Sequence, residues 1–427
     1  MAGTGPTPTS DHHPDELVTS ITNRLKQLSA ASADCSIYTV PDKLRRGNEE
    51  AYTPRVVAIG PYHRDNKSLK PMEDQKLRYL QSFLQYNGRC GLEDYIKRIK
   101  SREDQVRKCY NKPIVLDSDE FAQMMLLDGI FAIQLFLMQW NYKWRPSRDP
   151  IFGKPWMIND VRRDMWLLEN QIPFFAVQEL FEMAYGSHQK HTPGLLELAY
   201  GFLRPAIKIE KPPEGLLESE VKHFLDAIRL SYLPSVRKAP YESHEEFKFI
   251  PSATELAAAG VKLTRGKSQC LLDIKFKNGA LEIPCLRLYH STESYFRNII
   301  AFEQCYYRDD SYLIDYMAFM DHLINTPGDA KLLIGEGIIE NWLGNEDAAT
   351  RLLNAFCNDT YMWTRNAYFH DLRHELVAHC RRPWNEWKAT FKRKHCSSPL
   401  AVLSVTAGVV LLLLTIAQTV CSFLSLK

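Results

Sequence analysis

The amino-acid sequence predicts a mainly α-helical body with a small antiparallel β-sheet, followed by one apolar C-terminal helix long enough to cross a membrane. Three observations predict this. Apolar residues recur at helical spacing in long runs such as "FAQMMLLDGIFAIQLFLMQW" and "STESYFRNIIAFEQC", the pattern of helices packed on a core. An Asn-Gly pair separates two alternating stretches in "LLDIKFKNGALEIPCLRL", a strong short-range hairpin signal. Residues 401–426 carry no charge.

Taken in order, residues 1–34 begin rich in Pro, Thr, Ser and His and are expected to be disordered. The body runs from 35 to 396. Its first apolar runs, 37–40 and 56–59, read as extended segments interrupted by Pro41, Pro54 and Pro61. In "MEDQKLRYLQSFLQ", Leu77, Leu80, Phe83 and Leu84 share one helical face. Asp117 and Glu120 then form a capping box ahead of the long apolar helix. Asp128 in its middle, with polar flanks that show no asymmetry, marks it as a buried core helix and not a span. A second apolar helix carries "MWLLENQIPFFAVQELFEMAY", which Pro173 kinks or restarts because proline removes a backbone donor and clashes with the preceding turn.

From 204 to 249 the composition changes. "KIEKPPEG" and "PSVRKAPYESHEEF" flank a short amphipathic helix near 216–230, and the whole stretch reads as a linker or flexible insertion. Ser252 and Glu255 form another capping box, and Gly260 ends that helix. In the hairpin at 271–288, a type I′ turn at Asn278 and Gly279 sets Phe276 opposite Leu281, Ile274 opposite Ile283 and Leu272 opposite Cys285, with Lys275 facing Glu282 on the other side. Val261 and Leu263 can add a third strand. Beyond Ser291 the reading is helical: "STESYFRNIIAFEQC", "YLIDYMAFMDHLIN", "AKLLIGEGIIENWLG" and "NEDAATRLLNAFCND".

The terminal run supplies the roughly 20 apolar residues that a bilayer core requires, so 399–424 is read as a transmembrane helix. Arg381, Arg382, Lys388, Lys392, Arg393 and Lys394 precede it and only Lys427 follows. Basic residues stay on the cytoplasmic side, so the body is expected in the cytoplasm of a single-pass, C-terminally anchored protein. No secretory signal is readable at the N-terminus, and Ala2 excludes N-myristoylation. Two N-glycosylation acceptors, "NKS" at Asn66 and "NDT" at Asn358, serve as topology reporters.

Composition narrows the function classes. Lys plus Arg at 53 against Asp plus Glu at 51 leaves a net charge of +2, which gives no electrostatic footprint for nucleic acid. The ten cysteines contain no C-x-x-C pair and are expected to be reduced core residues in a cytoplasmic body. "GVKLTRGKS" imitates a phosphate loop but has five residues between its glycines where four are needed. A β-turn carrying Gly266 accounts for it. "HDLRHELVAH" puts His370 and His374 on one helical face, but His374 and His379 are five apart where zinc proteases need four. No G-x-S-x-G elbow occurs. The sequence therefore assigns no catalytic, cofactor-binding or metal-ligating residue.

Asp128, Glu169, Glu303 and Asp321 stand in or beside apolar runs. Buried carboxylates must be paired, hydrogen-bonded or protonated, and such sites can be catalytic. The competing expectation is that they tie helices together. In particular, Glu169 and Asn170 are expected to satisfy polar groups across the Pro173 kink and hold it to the Asp128 helix.

The blocks "IYTVPDKLRRGNEEAYTPRVVAIGPYH", "MMLLDGIFAIQLF", "LLENQIPFF", "PSATELAAAGVKL", "NGALEIPCLRLYHSTESYFRNIIAFEQC", "FMDHLINTPGDAKLL" and "GIIENWLG" resemble, in order and across 37–422, the plant family called domain of unknown function 247. The terminal apolar run is similar to that family's C-terminal membrane segment. The resemblance implies a plant membrane protein with a mostly helical body and no established catalytic residues or cofactor. Some grass members lie at self-incompatibility loci, which implies a protein-binding, signalling or recognition role. The alternative class is an enzyme that uses the buried carboxylates Asp128, Glu169 and Glu303.

Overall fold

The protein is described by a computed structural model covering residues 14–27, 34–186, 192–207, 220–234, 249–307, 310–358, 360, 368–382 and 399–425. Its α-helices of six residues or more are α1 (Pro14–Gln27), α2 (Pro71–Tyr86), α3 (Leu92–Lys108), α4 (Ser118–Trp140), α5 (Pro155–Asp164), α6 (Phe174–Tyr185), α7 (Leu195–Ile207), α8 (Phe224–Ser231) and α9 (Ala253–Ala258). Strands β1 (Lys262–Gly266), β2 (Lys275–Lys277), β3 (Ala280–Pro284) and β4 (Leu286–Leu288) follow. Then come α10 (Thr292–Cys305), α11 (Tyr312–Leu323), α12 (Pro327–Gly335), β5 (Ile339–Asn341), α13 (Glu346–Cys357), α14 (His370–Cys380) and α15 (Pro399–Ser425).

The first half is built around α4. Asp117 and Glu120 cap it as expected, with Glu120 N donating to Asp117 Oδ1 at 2.8 Å. It packs against α2, α3, α6 and α7. Of the described helices it alone is both long and apolar enough to cross a membrane, but 94% of its most apolar window is buried inside the protein, so it is a core helix. α2 turns a different face to α4 than its leucines suggest. Met72, Lys76, Tyr79 and Phe83 point inward, and Leu77 is exposed. The reason is Asp128, which needs a cation at that position on the facing helix. Pro173 restarts the chain, as the N-cap of α6, after the irregular stretch 165–172.

The second half alternates short helices and small sheets. Asn278 (φ 52°) and Gly279 (φ 77°) make the turn, and Phe276 pairs with Leu281 and Lys275 with Glu282 in the expected register. The sheet is nevertheless mixed and not antiparallel. β1 pairs in parallel with β3, giving the order β1-β3-β2. β2 stops at Lys275, so Ile274 and Leu272 lie outside the ladder. Gly266 ends β1 opposite Pro284, where a Cβ would approach the Pro284 nitrogen to 3.1 Å. It is thus a strand residue at a close backbone approach and not a turn. "GIIENWLG", expected to be helical, supplies β5, which pairs in parallel with β4. Gly260 (φ 90°) ends α9, with Val261 N bonded to the Leu256 carbonyl at 3.0 Å.

Two further expectations are corrected. Within 1–34, the residues 14–27 form α1: Pro14 and two acids open the helix, a favourable N-terminus, and Leu17, Val18, Ile21 and Leu25 remain exposed along it. Within the 204–249 stretch read as an insertion, α8 is core. Phe224, Leu225 and Ile228 are fully buried, and Phe174 N bonds the Lys222 carbonyl at 2.8 Å. Residues 208–219 and 235–248 of that stretch lie outside the described residues. In α15, the stretch with described side chains, Thr406–Cys421, is apolar and exposed but shorter than the roughly 20 residues of a span.

Candidate functional site

Residues 36–60 cross the body without forming a ladder, since Pro41 and Pro54 cannot donate and the path turns repeatedly. Several of their N–H groups, left without a backbone partner, take side-chain acceptors, acids and amides of the 164–170 stretch and of α4. Glu169 accepts from Val40 N at 2.6 Å and from Arg45 at 2.5 Å, and His63 Nε2 stands 3.3 Å from its second oxygen. Asp164 accepts from three successive amides, Arg55, Val56 and Val57, at 2.9, 2.7 and 3.0 Å, with Arg163 beside it at 3.1 Å. Asn170 accepts from Ile59 N at 2.7 Å and donates to the Val57 carbonyl at 3.0 Å. Asp128 accepts from Gly60 N at 2.7 Å and from the Lys76 ammonium at 2.5 Å. Lys76 in turn donates to the Ala58 carbonyl at 2.7 Å.

Gly60 shows how tightly the segment is seated. It holds φ 75°, and a Cβ there would lie 2.4 Å from the Gln171 carbonyl oxygen, so no other residue fits. Burial opposes ionisation of Glu169, yet His63, Arg45 and the Val40 amide outweigh it and hold its carboxyl below the usual value. Burial pushes the Asp128 carboxyl up against the opposing pull of Lys76 and Gly60 N.

A second buried set joins α8, α10 and α11. Arg229 Nε donates to Glu303 at 2.8 Å, and Glu303 also accepts from Leu313 N and Ile314 N at 3.1 and 3.0 Å, capping α11 from α10. The Arg229 guanidinium lies 3.5 Å from the centre of the Tyr307 ring, whose hydroxyl donates to Asp226 at 2.8 Å. His223 Nδ1 accepts from Asp226 N, so its Nε2 carries the proton and donates to the Ser36 carbonyl at 3.1 Å. Burial lowers this imidazole to about 3, which keeps it neutral.

Of the four acids read from the sequence, Asp128 and Glu169 therefore meet beneath the same segment, Glu303 sits in the second set, and Asp321 stands half-buried in α11, raised to about 6 by burial. Glu169 and Asn170 do not bridge the Pro173 region to the Asp128 helix; they hold the 36–60 segment instead. Sequence reasoning missed Asp164, Lys76, Asp226 and Arg229. Asp164 was hidden by its neighbours, because "DVRRDM" reads as a solvated helix face.

Chemically, Asp128, Glu169 and Glu303 have their oxygens occupied by fixed donors. Asp128 is 2%, Glu169 6% and Glu303 1% exposed, and the recess beside Asp128 and Lys76 has a volume of only about 40 Å³. The His370 and His374 rings pack at 4.3 Å, and His379 contacts Phe276 at 5.3 Å. Among the described residues no group of three or more His, Cys, Asp or Glu is placed to hold a metal ion.

Comparison with known proteins adds the following. An Arabidopsis thaliana protein, UPF0481 protein At3g47200, is 32% identical over 424 residues, which cover 93% of this chain and 88% of that one. A second Arabidopsis thaliana UPF0481 protein, At3g02645, is 26% identical over 229 residues, 52% of this chain and 42% of that one. No solved structure matches. A family model described as a plant protein of unknown function matches residues 37–414, from the clamped N-terminal segment into the C-terminal helix, and the chain accordingly belongs to the plant family DUF247.

Proposed function

We propose that this protein is a membrane-anchored interaction protein, with a helical body held at a bilayer by the 399–425 helix and presenting its surface to a protein partner in plant signalling or recognition, self-incompatibility included. The observation that carries this reading is the saturation of the buried acids. Asp128, Glu169 and Glu303 spend their charge on backbone amides and fixed cations, which stabilises a shape and leaves no oxygen directed at a reactant. Support for the anchor comes from Leu411, Leu412, Leu413 and Leu414, each more than half exposed on the terminal helix. Support for a cytoplasmic body comes from the basic residues before that helix.

Two measurements test the reading. Deleting 399–427 should release a folded body into the soluble fraction, and a truncated body that resists a high-salt wash would overturn a single anchor. In plant cells the full chain should keep its mobility after treatment with a glycan-removing amidase, because Asn66 and Asn358 never meet the lumenal transferase. A shift abolished by Asn66→Gln with Asn358→Gln would place the body outside and redirect the search for a partner to the cell surface.

A further inference from the structure

The C-terminal end of α4 carries a surface that the core does not use. Asn141 Oδ1 accepts from Lys143 N at 3.1 Å, and Arg145 Nε donates to the Met138 carbonyl at 2.7 Å, which closes the helix. Outside this closure stand Trp140, Tyr142 and Trp144, with Trp156 on the first turn of α5, all exposed, Tyr142 by 71% and Trp156 by 57%. Two of these rings are held in place by their neighbours. Trp140 and Trp144 meet edge to face at 6.1 Å, and Trp144 stacks on Tyr185 at 6.5 Å.

The charges between these rings have one sign. Lys143, Arg148 and Lys154 are exposed, and Lys154 Nζ lies 5.9 Å over the Trp156 ring. Asp149, the one acid in 140–156, is buried, accepting from the Tyr79 hydroxyl at 2.8 Å and from Ile151 N and Phe152 N at 2.9 and 2.8 Å. Rings with an apolar body and a polar edge, interleaved with cations on long apolar stems, match the chemistry of a bilayer interface. Lysine is depleted at the centres of protein–protein contacts, whereas each Lys or Arg near an anionic leaflet is attracted to it.

We propose that the 140–156 surface is a second membrane contact, which lays the body against anionic headgroups of the bilayer that anchors α15. This rests on the membrane anchoring proposed above.

The test uses the full chain reconstituted into phosphatidylcholine vesicles or mixed phosphatidylcholine–phosphatidylserine vesicles, both with brominated acyl chains that quench tryptophan emission. Flotation reports the anchor separately, and a chain that fails to float overturns the anchoring and this contact together. In a floating chain, quenching should be stronger on the anionic vesicles, above the baseline from Trp384 and Trp387 near the helix. The variant K143E/R148E/K154E should float but lose that excess. W140F/W144F/W156F should lose it too, whereas W342F, with its ring stacked on Tyr289, should retain it. Equal quenching on both lipids, or an excess that survives K143E/R148E/K154E, overturns the contact while leaving the anchor intact. An unquenched surface on a floating chain does the same and reassigns the aromatic face to a protein partner.

Discussion

The two halves of the body use buried acids on different kinds of backbone. In the half around α4, Asp164, Glu169 and Asp128 receive the amides of an irregular segment, and Asp164 alone takes three. In the half around α10 to α14 the backbone is largely satisfied by its own helices, and the buried acids serve helix ends: Glu303 takes Leu313 N and Ile314 N, and Asp329 takes Thr254 N and Thr326 N. Asp315 accepts from Tyr368 N at 2.6 Å, and burial raises its carboxyl to about 7. The difference teaches that a chain path unable to form a ladder gathers its amides on core acids, whereas a regular path offers an acid only the free amides at helix ends. In both halves burial opposes ionisation, raising the Asp164, Asp128 and Glu303 carboxyls alike.

If that contrast is right, the largest loss should follow Asp164→Ala, which strands three amides and leaves Arg163 uncompensated. A stability loss of about 3–5 kcal/mol is expected, read as a lower denaturant midpoint at unchanged slope. A variant as stable as the parent would break the comparison. Next comes Gly60→Ala, where the left-handed backbone alone costs roughly 1–3 kcal/mol and the contact with the Gln171 carbonyl adds to it. The thermal midpoint should fall more than for an alanine placed at Gly88, which has open space around it.

Glu169→Ala should cost roughly 1–3 kcal/mol by leaving Val40 N without its acceptor. The wild-type contribution has a defined pH window. Because the folded carboxyl lies below its ordinary value of 4.5, the stabilisation is present above that pH and is lost as pH falls through the folded value. Acid unfolding of Glu169→Gln should accordingly start from a lower plateau and show a shallower slope below about pH 4.5.

The smallest effect sharpens the other side of the contrast. Asp315 titrates near 7 folded and near 3.8 unfolded, so the native state holds a proton that the unfolded chain has lost. Its stability contribution is fully present below the unfolded value and declines as pH rises toward about 7. In Asp315→Asn that decline should flatten, as measured by urea titrations at successive pH values. An unchanged slope would mean that Asp315 is ionised in the fold.

Much of the architecture was legible in the residues. The capping boxes at Asp117 and Ser252, the Asn278-Gly279 turn and the core placement of Ser118–Trp140 all follow from signals spaced a few residues apart. The polar core was half legible. Asp128, Glu169 and Glu303 were conspicuous because each interrupts an apolar run, but Asp164 lies among charges and Lys76 among helix-forming polar residues, so neither announced itself. The 204–249 stretch misled in the other direction, since its charged flanks obscured a core helix of eight residues.

By itself the sequence determined the helical class, the turn register and the family, because periodicity, capping and turn chemistry act within one or two turns of chain. Tertiary structure alone decided which acid meets which amide, with Glu169 reaching Val40 across 129 residues and Asp128 reaching Gly60 across 68. It also decided the parallel pairing of β1 with β3 and of β4 with β5. No local period encodes such contacts; they form where distant segments cross and each buried N–H takes the acceptor that the crossing brings within reach.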